Sequence, residues 1–256
     1  MADLSSTSKW EASSALGLGD GTLNEFFSAT ASNAQSLVGL MLGCAFQASS
    51  RSTLLVRQHF LGVETGEPYP FGLIEFGIDP ARIIFVAVQD VQSALQAGLE
   101  GARCSALGAV LIELRGEARA YDLTASRRLA LAAKASGTLV FLSRTAARPY
   151  PSAAETRWQV AAASSRPLAA NAPGNPAYDL TLLRARNRQE GARYHVEWDR
   201  NARTFIARAS DTRSHAAKPD TRQHGERPPL SGAVAPLPFD RQGATQDAPP
   251  SHRQAG

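Results

Sequence analysis

The chain has 256 residues and a mass of 27.2 kDa; it is 43% hydrophobic and 20% charged, with 27 basic and 23 acidic side chains for a net charge of +4. That apolar content excludes a wholly disordered chain, and the length suits one domain with a smaller satellite. No apolar run reaches the ~18 residues of a membrane helix, and residues 1–8 lack the basic start and apolar stretch of a secretory leader, so a soluble, cytoplasmic protein with no membrane partner is expected.

Charge is divided unevenly. Residues 1–120 carry a net −5 and residues 121–256 a net +9, and 24 of the 27 basic side chains are Arg. Scattered Arg on an Ala-rich chain is also the product of GC-rich coding, so an Arg cluster needs a second reason before it reads as a site. Cys44 and Cys104 lack CxxC spacing and lie in apolar surroundings, which argues against a disulfide framework or a zinc site and predicts buried free thiols.

In chain order, residues 23–27 (LNEFF) predict a strand and residues 37–46 a buried helix with small residues for close packing. A second strand follows at 53–57, and a short helix within 69–80 stops at the Gly77-Ile78-Asp79-Pro80 turn. Residues 82–88 (RIIFVAV) form a third strand, 90–99 a helix capped by Asp90 or Gln89, and 108–114 a fourth strand. A helix over 123–136, with Thr124 as its N-cap, ends at Gly137, and 138–143 form a fifth strand. Continuous apolar strands alternating with helices predict a mostly parallel α/β sheet with helices on both faces.

The pattern then changes. Residues 166–176 read as a connector, and 178–186, 193–198 and 204–208 alternate with period two as an antiparallel meander. From residue 209 the chain holds seven of its fifteen prolines and little apolar patterning, the composition of a solvated tail. The expected organisation is a flexible segment over 1–20, an α/β core over 21–150, an antiparallel extension over 151–208 and a disordered tail over 209–256.

In such a sheet the turn after the first strand is where a phosphate sits, at a helix N-terminus. A phosphate-cradling loop needs glycines for converging N–H groups, a Lys for phosphate charge and a hydroxyl for magnesium. The turn at 28–35 (SATASNAQ) has none of these in place: Ser28 and Asn33 stand at the glycine positions, Ala34 at the lysine position and Gln35 at the hydroxyl position. A degenerate, inactive phosphate loop follows, with no ATP hydrolysis, no cofactor and no metal site. Glu113 near the end of the fourth strand is expected at the surface or paired with Arg115. No GxSxG or HExxH motif occurs, and His59 and His195 read as isolated surface or strand-edge side chains.

The remaining candidates are arginines. Arg127 and Arg128 open a helix, where cations oppose the helix dipole, which points to partners such as Asp122 or another chain. Arg184, Arg186 and Arg188 alternate and would share one side of a strand reaching that far. Beside Tyr194 and Trp198, such a stripe suits a phosphate backbone as well as a solvated face.

Glu25-Phe26-Phe27 followed by a loop of phosphate-loop length resembles the start of a RecA-like ATPase core. Phe76-Gly77-Ile78-Asp79-Pro80-Ala81-Arg82-Ile83-Ile84-Phe85-Val86 is similar to a segment of the ImuA family, the RecA-like proteins of bacterial inducible mutagenesis. Asp122-Leu123-Thr124-Ala125-Ser126-Arg127-Arg128-Leu129, continuing through Ala132, Ala133 and Ser136-Gly137-Thr138, is the most specific match. Residues 154–160 (AETRWQV), 180–186 and 194–198 resemble the same family's C-terminal part. The resemblance spans roughly residues 15–208, and the four segments fall in the family's order.

It implies a non-catalytic accessory protein of SOS-induced translesion synthesis. Its implied partners are an ImuB-like inactive Y-family polymerase homologue and an error-prone C-family DNA polymerase, with RecA and single-stranded DNA as further candidates. The alternative is an SOS cell-division inhibitor, which shares a degenerate RecA-like fold. An ATP-dependent recombinase is disfavoured by the turn at 28–35.

Overall fold

The computed structural model describes residues 16, 18–28, 33–186 and 190–208. The tail expected over 209–256, the N-terminal residues 1–15, and Arg188 lie outside the described residues.

Six parallel strands build the core: β1 (Leu23–Ser28), β2 (Ser52–Gln58), β3 (Ile83–Val88), β4 (Leu107–Arg115), β5 (Leu139–Thr145) and β6 (Thr156–Ala163). Three antiparallel strands complete the sheet: β7 (Ala177–Ala185), β8 (Arg193–Asp199) and β9 (Thr204–Arg208). The spatial order is β3-β2-β4-β5-β1-β6-β7-β8-β9. The helices are α1 (Ala34–Ala48), α2 (His59–Thr65), α3 (Pro70–Glu75), α4 (Val91–Arg103) and α5 (Leu123–Ser136). The expected class, a mostly parallel sheet with flanking helices and a C-terminal antiparallel meander, is the one observed.

Both faces of the central strands are covered, which is why their sequences are continuous apolar runs. Successive side chains go to opposite faces. Phe26, Leu55, Leu111 and Phe141 join one core with α1 residues Leu37, Leu40 and Met41. Leu23, Val56, Val110, Ile112 and Val140 join the other, with Ala94 of α4 and Leu129 of α5.

The first core continues under the meander. A Cβ on Gly43 of α1 would come within 2.8 Å of the Phe205 ring and 3.2 Å of Trp198, so only the missing side chain lets α1 lie this close to β8 and β9. Trp198 in turn stacks on Phe76 at 4.5 Å and donates its indole N–H to the Phe76 carbonyl at 3.0 Å.

Three expectations are corrected. Strand β6 alternates polar Arg157 and Gln159 with apolar Trp158 and Val160 before an alanine run, but the sequence reading placed no strand there. It pairs parallel with β1 and antiparallel with β7, so the switch from parallel to antiparallel falls between β6 and β7. Helix α2 is seven residues long, too short for its period to stand out. The N-cap of α5 is Asp122, whose Oδ1 accepts from the Ala125 amide at 2.7 Å, and not Thr124. The caps and stops at Asp90 and Gly137 stand as expected; Gly137 takes φ +77°, which a side chain would strain.

Candidate functional site

Open α/β sheets place ligands beyond the carboxyl ends of their parallel strands, where the strand order reverses. Here β1 lies beside β5 and β6 while its successor β2 lies beyond β4, and the β1–α1 turn sits at that end. Ser28 closes β1 and is fully buried, its carbonyl accepting from the Ala146 amide at 3.0 Å. Asn33 precedes α1 without a side-chain capping bond, and Ala34 and Gln35 are its first two residues. Residues 29–32 lie outside the described residues. The four positions that would hold glycine, lysine and hydroxyl groups carry no charge.

Ala34 and Gln35 border a cavity of about 240 Å³ whose walls are mostly apolar, with Val38, Leu42 and Leu73 and the charged groups Arg57 and Glu67. Behind it the parallel register sets Arg57 opposite Glu113. Arg57 donates through Nη1 to the Gly66 carbonyl at 2.8 Å and through Nη2 to Glu113 Oε2 at 3.3 Å. Glu113 is therefore neither a surface group nor the partner of Arg115, as the sequence suggested. It is buried against Arg57, and Arg115 pairs with Glu64. The cause is the sheet: a strand covered on both faces offers an inward carboxylate no solvent, and register supplies the guanidinium. Burial pushes the Glu113 carboxyl up to about 7, with the Arg57 charge opposing it.

A second buried polar group lies on the α5 face. Glu25 of β1 accepts from Tyr121 Oη at 2.5 Å and from Arg157 Nε of β6 at 2.9 Å. Arg157 also reaches Ser152 Oγ at 2.9 Å. Tyr150 Oη donates to the carbonyls of Ala118 and Tyr121. Arg144 at the end of β5 is fully buried, its guanidinium lying 4.6 Å from the Tyr150 ring centroid and 5.6 Å from that of Tyr121. Burial, reinforced by the Glu25 charge, pushes the Tyr121 phenol well above its ordinary value. These bonds pin the turns after β4 and β5 to β1 and β6. Sequence reasoning missed them; the available signal was a charged residue inside an apolar strand run, at Glu25, Arg57 and Arg144, which demands a buried partner.

The arginines selected from sequence separate. Arg127 and Arg128 are exposed on α5, and among the described residues neither has an ion-pair or hydrogen-bond partner, Asp122 included. Arg127 and Arg186 line one groove; Arg128 faces the opposite flank of the helix beside Arg103. Strand β7 ends at Ala185, so the condition for a shared Arg184–Arg186 strand face is not met. Arg184 is exposed, and Arg186, beyond the strand, pairs with Glu155 at 3.5 Å. Trp198 is buried against Phe76 and Phe205 and offers no face to a base.

His59 is exposed, as expected, and His195 Nδ1 lies 2.7 Å from Asp179 Oδ1 rather than standing alone. Cys44 is buried, which pushes its thiol far above the ordinary range, whereas Cys104 is exposed, against expectation, because it caps the C-terminus of α4. Among the described residues no three His, Cys, Asp or Glu side chains converge to hold a metal ion, and no helix is long and apolar enough to cross a membrane.

No family model matches the chain, and no curated protein matches it. Among solved structures, the crystal structure of the RadB recombinase is similar, with a TM-score of 0.51 and 16% sequence identity over 78% of this chain and 97% of that chain. At that identity the likeness shows the fold, which is RecA-like.

Proposed function

We propose that this chain is a non-hydrolytic accessory protein of DNA-damage tolerance, of ImuA type, in which a RecA-like fold is kept as an interaction module. Its partners in this reading are an ImuB-like inactive Y-family polymerase homologue and an error-prone C-family DNA polymerase. The segments at 76–86 and 122–138 support the family, and the RecA-like fold supports the recombination and repair setting. The observation that carries the non-hydrolytic reading is the β1–α1 turn. It presents no lysine to phosphate, and the nearby strand-end carboxylate, Glu113, is engaged by Arg57 instead of standing open to magnesium.

Two measurements test it. Calorimetric titration with ATP and magnesium is expected to give no heat of binding, and a micromolar Kd would overturn the non-hydrolytic reading. Co-purification of the tagged full chain from cells with damaged DNA is expected to recover translesion polymerases. Recovery of the tubulin-like division protein in their place would replace this reading with that of a division inhibitor.

A further inference from the structure

Helices α2 and α3 lie in the connection from β2 to β3, and its Leu73, Phe76 and Ile78 pack into the first core. The outer side of this connection is apolar as well. Five of the ten large apolar side chains exposed among the described residues fall within residues 60–74, with Val63 80%, Phe71 65% and Ile74 59% exposed. Helix α3 (PFGLIE) has no polar side chain before Glu75, yet none of its residues is buried. A helix apolar on every side is normally covered on every side. The pieces are contiguous: the Tyr69 and Phe71 ring centroids are 5.4 Å apart, and Glu67 Oε1 lies 3.5 Å from where a Cβ on Gly62 of α2 would stand.

The charge that this segment carries has one sign. Between Arg57 and Arg82 the chain holds Glu64, Glu67, Glu75 and Asp79 and neither Lys nor Arg. Glu64 is taken by Arg115, and Asp79 accepts from the Ala81 amide at 3.0 Å. Glu67 and Glu75 are exposed and meet no cation among the described residues. The guanidinium groups at either end are engaged elsewhere, Arg57 by Glu113 and Arg82 by the carbonyls of Ser49 and Arg51. Arg203 lies along Gly77, past the end of α3. The surface therefore combines uncovered apolar groups with two carboxylates that the fold leaves unmatched.

We infer that this surface receives a basic amphipathic segment of a partner protein, with apolar side chains on Val63, Phe71 and Ile74 and Lys or Arg on Glu67 and Glu75. Exposed apolar patches rimmed by polar groups mark interaction sites, and the sign of the unmatched charge selects the partner's. A second copy of this chain in a two-fold contact would set the same carboxylates against each other. A nucleic-acid backbone would be repelled by them and would leave the apolar groups in water. The inference goes beyond the functional reading above and stands without it, since this surface and its charge do not depend on the process the chain serves.

The test is fluorescence anisotropy of the full chain against a dye-labelled helical peptide with leucine at i, i+4 and i+7 and lysines between, beside a peptide with the same leucines and glutamates for lysines. The lysine peptide is expected to bind saturably and to weaken as salt is raised, and the glutamate peptide is expected not to bind. Phe71→Ser and Glu75→Lys are each expected to weaken the lysine peptide about tenfold or more. Glu75→Lys is also expected to gain affinity for the glutamate peptide. Both substituted residues are exposed, so circular dichroism melts of the variants are expected to match the parent. The proposal is overturned if the lysine peptide does not bind, if it binds both variants like the parent, or if the two peptides bind alike. It is also overturned if sedimentation shows the parent self-associating and Phe71→Ser monomeric, which would assign the surface to a second copy. ATP affinity and polymerase co-purification do not enter these readouts, so their failure is separate from failure of the proposed function.

Discussion

Arg57 and Glu113 stand opposite each other on adjacent parallel strands, and their side chains meet at 3.3 Å with 4% and 6% of their surfaces exposed. Burial holds the Glu113 carboxyl up near 7, above its ordinary 4.5. The folded state thus binds more protons than the unfolded state between about pH 4.5 and 7. The contribution of this group to stability is present below that window and is lost as pH rises through it. Urea melts at pH 5 and pH 8 are expected to show Glu113→Gln losing this component, a difference from the parent on the order of 1–3 kcal/mol. Arg57→Ala, which leaves the carboxylate alone, is expected to destabilise more at pH 8 than at pH 5. Equal pH dependence in parent and Glu113→Gln would refute the account.

The Glu25–Tyr121 bond ties the turn after β4 to the central strand. Tyr121→Phe removes the hydroxyl donor from a buried carboxylate and is expected to destabilise by roughly 1–3 kcal/mol. Chemical denaturation of the variant checks it, and a change within error would mean that Arg157 alone satisfies Glu25.

Gly43→Ala sets a methyl group 2.8 Å from the Phe205 ring. Gain in helix propensity is outweighed by overpacking, and a net loss of about 1–3 kcal/mol is expected. A thermal melt reads it. A stabilised variant would show that β8 and β9 give way easily to α1.

Ala34→Lys places a lysine at the position a phosphate loop requires. It is expected not to confer ATP hydrolysis, because Ser28 and Asn33 still stand where glycines would let the backbone converge, and Glu113 remains bound to Arg57. Phosphate release above the parent's level would show that the charge alone was missing.

Replacing Arg127 and Arg128 together with Ala is expected to leave stability within about 0.5 kcal/mol, since both are exposed and unpaired among the described residues. Partner association is expected to weaken. A clearly lowered melting temperature with unchanged association would make them structural groups.

Periodicity made the parallel core legible. The runs at 109–112 of β4 and 139–142 of β5 are apolar because both faces of the central sheet are covered, whereas the edge strand β3 is as apolar with Ile84 and Phe85 exposed; side-chain chemistry marked the ends of α4 and α5 at Asp90 and Gly137. The absence of lysine and glycine from the turn at 28–35 was equally plain, because it is a matter of residue type within one short segment. Helix α2 was not legible because seven residues hardly complete two turns, and strand β6 was missed because its alternation spans only Arg157 to Val160 before an alanine run.

Composition and local pattern alone thus determined the α/β class and the order of most elements, and set neither glycine nor lysine in the turn at 28–35. Tertiary structure decided which charges meet. Arg57 and Glu113 are 56 residues apart, and Glu25 and Arg157 132 apart; each pair is joined by strand register, which no local spacing encodes. The same holds for the groove beside α5, where Arg127 and Arg186 approach only because β1 and β6 are neighbours in the sheet. Whether a charge is partnered depends on what the folded chain brings within a few ångströms of it, and that is a property of packing.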